Sequence, residues 1–291
     1  MYKIGGFHES TPRIYIVRSF AWIETIKMVG DILKNLVIGL IALVLIVAGG
    51  FYIKKYQETV ETTGDVQEVK WDVKNKKGNE KVDISFQLLN KMNNEIRGVN
   101  DQIRAVIVDG NLKNVQQTKP IFAGNGSYKL SSDVVKGEEY TVFLYEDENK
   151  SVESFAKKDF GEEKKEKNKD KNKKKLPVDT VLTKNIGEHQ VSLLFGALHP
   201  NEAATLTFQF QAKKGEKLKL NSGRGEVNAL YIVDETREHF LYAIPVDTDE
   251  QLQYRITFPE EGTYKIWGDF YINGKKYTKE FSIQVQKRKN S

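Results

Sequence analysis

The chain has 291 residues, 39% of them hydrophobic and 29% charged, with 13 tyrosines, 15 phenylalanines and no cysteine. That length accommodates about two domains with a core in each, which excludes wholesale disorder. The lack of cysteine excludes disulfide scaffolds, thiolate-held zinc, iron–sulfur clusters and thiol catalysis, and four histidines and three methionines leave few ligands for a soft metal.

Residues 1–34 form an N-terminal tail in which Trp22, Ile26, Val29 and Leu33 fall at helical spacing, the pattern of an interfacial helix. The other reading is a shorter chain that starts at Met28. Residues 35–53, NLVIGLIALVLIVAGGFYI, carry no ionisable group. At 1.5 Å per residue such a run spans about 28 Å, close to the hydrocarbon thickness of a bilayer. A transmembrane helix is predicted there, with Lys34, Lys54 and Lys55 reaching back to the headgroups. A cleaved signal peptide is the competing reading, but its apolar region spans about 7–15 residues and ends at a small-residue site that is missing here. Lysines balance locally on the two sides; Lys3, Arg13 and Arg18 tip the tail toward the cytoplasm and place the C-terminal part outside.

Residues 54–69 read as a polar stalk. From Lys70 the pattern becomes period-two alternation rich in Val, Ile, Phe and Tyr, bounded by Gly, Asn, Asp and Pro. That is the grammar of strands and turns. Val82-Asp83-Ile84-Ser85-Phe86 and Thr205-Leu206-Thr207-Phe208-Gln209-Phe210 alternate, and Asn273-Gly274 marks a hairpin. One β-sandwich is expected over 70–160 and a second over 177–291. Between them, 161–176 is a lysine-rich linker: EEKKEKNKDKNKKK has no apolar residue and a net charge of +4, most of the chain's +5. Its interspersed acids and missing aromatics argue against a nucleic-acid partner.

The two halves repeat one pattern. Phe86 and Phe208, Asp109 and Asp234, Tyr128 and Tyr254, and Tyr140 and Tyr264 are offset by 122, 125, 126 and 124 residues. Two copies of one domain follow, and short strands at turn-marked intervals in that length fit an immunoglobulin-like sandwich. The fold class expected is therefore mostly β: an N-terminal transmembrane helix and two tandem immunoglobulin-like β-sandwich domains.

The stretches LHPNEAATLTFQFQAKKGEKLKL, ALYIVDETREHFLYAIP and YRITFPEEGTYKIWGDFYINGKKYTKEFSIQV resemble the YtkA-like domain, related to FixH, over residues 196–286. The resemblance implies an immunoglobulin-like sandwich outside the cytoplasmic membrane and a link to copper or heavy-metal handling. The H-x-H-P sequence of metal-associated members falls here on Tyr242, Ala243, Ile244 and Pro245, and their Met/His run falls on NSGRGEVNA, with Ala229 in the place of a histidine. Arg104 holds that place in the first copy. The resemblance thus implies the fold without the ligands.

No motif for a triad, a phosphate loop, a zinc protease or a dinucleotide fold occurs. Acid pairs such as Glu138/Glu139 and Glu260/Glu261 are adjacent, and neighbours on a strand face opposite ways. Tyr254, Phe258, Tyr264, Trp267, Phe270, Tyr271 and Tyr277 read chiefly as core and cross-strand packing. Catalytic, cofactor-binding and metal residues are therefore expected to be none, and the protein is expected not to be an enzyme. The candidates for ligand contact are Arg224, in the only Gly-rich basic loop, His239, beside the missing motif, and Tyr242, on it. The expected role is a membrane-anchored, extracytoplasmic binding protein. Its partners would be membrane lipid through the N-terminal helix and a protein or cell-wall component. The alternative is copper or heavy-metal handling of the YtkA-like type.

Overall fold

The computed structural model describes residues 66–288 apart from 76–80, 97–101, 148–150, 162–174, 214–216, 222–225 and 247–250. The expected span 35–53, the tail, nearly all of the stalk, most of the lysine-rich segment and Arg224 lie outside the described residues. Among the described residues no helix is long and apolar enough to cross a membrane.

The described residues are built from strands. In the first half these are β1 (Glu68–Asn75), β2 (Lys81–Leu89), β3 (Ile103–Asp109), β4 (Val115–Thr118), β5 (Ile121–Gly124), β6 (Ser127–Asp133), β7 (Glu139–Glu146), β8 (Val152–Glu153) and β9 (Ala156–Gly161). In the second they are β10 (Thr183–Ile186), β11 (His189–Leu194), β12 (Ala203–Gln211), β13 (Ala229–Asp234), β14 (Phe240–Ala243), β15 (Gln251–Thr257), β16 (Gly262–Ile272) and β17 (Lys275–Val285). Every pairing is antiparallel. The sheets run β1-β2-β6-β5 and β4-β3-β7-β9 in the first half, and β10-β11-β12-β15 and β17-β16-β13-β14-β8 in the second.

The duplication read from spacing is a duplication of topology. β2, β3, β4, β6, β7 and β9 correspond to β12, β13, β14, β15, β16 and β17 in order and in partners. Alternation sets each core. On β2, Val82, Ile84, Phe86 and Leu88 turn inward; on β12, Leu206 and Phe208 do. The first core closes with Ile103, Ala105 and Ile107 of β3 and Val142 and Leu144 of β7. The second closes with Leu230 and Ile232 of β13 and Ile266 and Phe270 of β16.

The repeated polar landmarks have local causes. Asp109 ends β3, and its carboxylate accepts the N–H groups of Asn111, Lys113 and Asn114 at 2.9, 3.0 and 2.8 Å. Asp234 ends β13 and accepts those of Thr236 and His239 at 3.0 and 2.6 Å. Each carboxylate folds the hairpin loop after its strand, the Asx-turn device. Tyr140 and Tyr264 open the corresponding strands β7 and β16. The Tyr140 hydroxyl accepts the Val135 N–H at 2.8 Å, and the Tyr264 hydroxyl donates to the Glu260 carbonyl at 2.9 Å. Both are tyrosine corners, a hallmark of immunoglobulin-like sandwiches.

Candidate functional site

The central strands of one sheet in each half are apolar on both faces. Ala105-Val106-Ile107-Val108 is buried throughout, as are Val142-Phe143-Leu144-Tyr145, Ala229 to Val233, and Phe240 to Ala243. A strand covered on one side alternates; one covered on both reads as a continuous apolar run. Ala105 and Ile107 face the first core, so Val106 and Val108 must face something else. The second sandwich supplies it. Val106, Val108, Leu112, Phe143 and Tyr145 pack with Ala229, Tyr231, Val233, Phe240, Tyr242 and Trp267 in a third core between the two halves.

This seam is held by aromatic contacts and a bridging strand. Phe143 stacks on Phe240 with ring centroids 5.5 Å apart, and Tyr145 lies 5.2 Å from Phe240 and 4.8 Å from Tyr242. β8 leaves the first half to pair with β14, placing Val152 beside Tyr242 and Glu153 beside Leu241. The Ser154 N–H continues the pairing by donating to the Phe240 carbonyl at 3.0 Å.

Polar contacts ring the apolar centre. Arg237, on the loop folded by Asp234, donates to Glu139 at 3.0 Å and to Thr141 at 3.3 Å. Lys157 of β9 pairs with Glu238 at 2.6 Å and donates to the Arg237 carbonyl at 3.3 Å. Gln117 of β4 donates to the buried Asp269 carboxylate at 2.8 Å, which also takes Lys276 at 2.8 Å and the Thr278 hydroxyl at 2.5 Å. A buried carboxylate with three donors has its charge satisfied.

The seam has approximate two-fold character. The strand registers make Gln117 equivalent to Tyr242 and Tyr145 equivalent to Asp269. The contacts Gln117–Asp269 and Tyr242–Tyr145 are therefore one contact made twice. Leu112 and Arg237 are likewise equivalent, both left-handed with φ of 53° and 61°. Leu112 packs into the apolar cluster of the seam, and Arg237 bonds to Glu139 and Thr141.

Two of the three candidate contact residues are consumed here. Tyr242 is 4% exposed, inside the seam. His239 places Nδ1 3.1 Å from Glu153 of the first half and Nε2 3.8 Å from Glu260. Arg224 is outside the described residues. Among the described residues no group of three His, Cys, Asp or Glu side chains is placed to hold a metal ion. Burial raises the seam tyrosines: Tyr145 and Tyr231 are pushed well above the usual phenol range, and Tyr242 to about 12, with the Asp147 carboxylate adding to its rise.

That displacement has a sign. The neutral phenol is favoured in the folded state, so its contribution is complete below pH 10, the unfolded value, and drains away as pH climbs through the folded value. We expect stability to fall above pH 10, with phenolate absorbance from the seam tyrosines lagging behind that of exposed ones. Full titration near pH 10 without loss of structure would contradict the seam's dryness.

Residues 184–287, the second sandwich, match a family described as a domain of unknown function, DUF8832. No curated protein matches the sequence. Among solved structures, the Escherichia coli adhesin FdeC is 12% identical, with a TM-score of 0.23 over 75% of this chain and 64% of that one. A tetra-tandem repeat from the extending region of a large adhesion protein is 12% identical, with a TM-score of 0.23 over 75% of this chain and 49% of that one. The fibronectin(III)-like modules of Clostridium thermocellum CbhA are 10% identical, with a TM-score of 0.21 over 75% and 94%. This chain spans less than two thirds of the length of the first two. At such scores the likenesses carry no argument; the sandwich fold rests on the chain's own strand pairing.

Proposed function

We propose that the protein is a membrane-anchored display protein whose two fused sandwiches form one extracytoplasmic body that binds a partner and catalyses nothing. The observation that carries this reading is the seam. Three side chains of the second sandwich are engaged by the first: His239 pairs with Glu153, Tyr242 packs on Tyr145, and Asp269 accepts from Gln117. A face-to-face union of two sheets with a bonded rim suits a rigid presenting body, because relative motion is the default for domains whose interface is small and polar. The apolar run at 35–53 supplies the anchor in this reading.

The absence of cysteine makes the topology directly testable. A single cysteine at Lys136, which is exposed, should react with a membrane-impermeant maleimide on intact cells. One at Ser10 should react only after lysis. The reverse pattern would overturn the reading. Stoichiometric Cu(I) binding by the purified chain would instead favour metal handling.

A further inference from the structure

Each sandwich gives one sheet to the seam and turns the outer face of its other sheet to solvent. The duplication allows these two outer faces to be compared position by position. On β1, β2 and β6 the outward positions are studded with charge, including Lys70, Asp72, Lys74, Asp83, Lys129 and Asp133. On β10-β11-β12-β15 they are not. Arg255 is the one ionisable side chain among the outward positions of those described strands. In a chain that is 29% charged, the second outer face keeps a single charged side chain among these described positions.

Amides and hydroxyls take its place. The register carries one continuous row across all four strands, from Thr183 to Ser192 to Gln209 to Gln251, with Thr207 beside Gln253 in the next. The Thr183 and Ser192 hydroxyls lie 2.8 Å apart, and Gln209 donates to the Gln251 side-chain oxygen at 3.4 Å. Leu194 is the face's large apolar side chain.

This composition selects a class of partner. A charged ligand would be met by opposite charges. A protein patch with a buried centre would be met by aromatic anchors. Hydroxyls and carboxamides both donate and accept hydrogen bonds, as sugar hydroxyls do. A Lys or Glu stripped of water against an uncharged surface would cost several kcal/mol. We propose that the outer face of β10-β11-β12-β15 binds a neutral glycan, an uncharged polyhydroxylated polymer lying across the strands. The inference rests on the display reading for why a partner is met there. Binding by purified protein does not depend on topology, so the two can fail separately.

The test is cosedimentation of the detergent-solubilised full chain with insoluble neutral polysaccharides (cellulose, chitin and starch granules). Anionic pectate gel is the comparison. The wild-type chain should sediment with at least one neutral polymer and not with pectate. Thr207→Lys and Gln209→Glu should each weaken binding about tenfold, the equivalent of 1.4 kcal/mol. Ser85→Lys, at the position of the first sandwich equivalent to Thr207, should bind like wild type. Thermal unfolding of all three should match the parent, since the positions lie on a solvent face. Three results would overturn the proposal: no neutral polymer retained, retention untouched by the face variants, or a concentration-dependent dimer abolished by those same variants, which would make the face a contact between copies.

Discussion

Phe240→Asp is expected to part the two sandwiches while leaving each folded. Phe240 is wholly buried between Phe143 and Tyr145, on the seam side of β14. Its neighbours Leu241 and Ala243 face the second core and are untouched by the change. A carboxylate at this point would lose the ring contacts and meet no cation in the apolar centre. An uncompensated buried charge costs about 3–5 kcal/mol, more than rim pairs such as Arg237–Glu139 return, since partly exposed ion pairs are worth about 1 kcal/mol or less. Opening the seam is the cheaper escape, because it hydrates the carboxylate without breaking a sandwich. Small-angle scattering should show a larger radius of gyration, and amide exchange should speed up at β8 and β14 first. The β circular-dichroism signal should persist. An unchanged radius with unchanged exchange would mean that the seam is not held by its apolar centre.

Much of this architecture is legible in the residues, and the part that is not has a common cause. Alternation at Val82 to Phe86 and Thr205 to Phe210 announces strands with one covered face, and β2 and β12 have that burial. The paired landmarks Asp109/Asp234 and Tyr140/Tyr264 locate the duplication, because each performs a local task within about five residues of itself. The aromatic set reads as core, and Tyr254, Phe258, Tyr264 and Phe270 are wholly buried in the second sandwich. Trp267 is buried too, but in the seam. The seam itself escapes a reading based on alternation, although a signal for it exists. AVIV, VFLY, ALYIV and FLYA break the alternation that a one-sided strand would keep, and AVIV and ALYIV stand at equivalent places in the two copies, which implies that each copy has a second covered face. Which side chains would meet is not legible. β8 has two residues and finds a partner about ninety positions later, a pairing that no local pattern encodes. His239 and Tyr242 read as available for a ligand because sequence shows neighbours along the chain and not the Glu153 and Tyr145 that cross the seam to meet them.

Phe208→Ala should destabilise the second sandwich by about 3–5 kcal/mol, the range for deleting a buried aromatic ring. Phe208 is fully buried at the middle of β12, and its ring contacts Phe270 at 5.0 Å, Phe281 at 5.5 Å and Tyr254 at 5.6 Å. Those three come from β16, β17 and β15, so the ring joins both sheets of the sandwich at one point. Rings cannot shift far to fill the void, since each is pinned by its own strand, and so the cavity cost adds to the lost transfer energy. The cost is confined by the architecture: Phe208 lies in the second core and takes no part in the seam. Urea unfolding should therefore resolve an early transition in the second half, with protection at Ile84 and Phe86 of the first core surviving to higher denaturant. Ile121→Ala, at a side chain 74% exposed, should shift stability by no more than about 0.5 kcal/mol. If Phe208→Ala instead lowers both halves together, the seam couples the sandwiches into one folding unit, and the duplicated domain cannot outlast the loss of its partner.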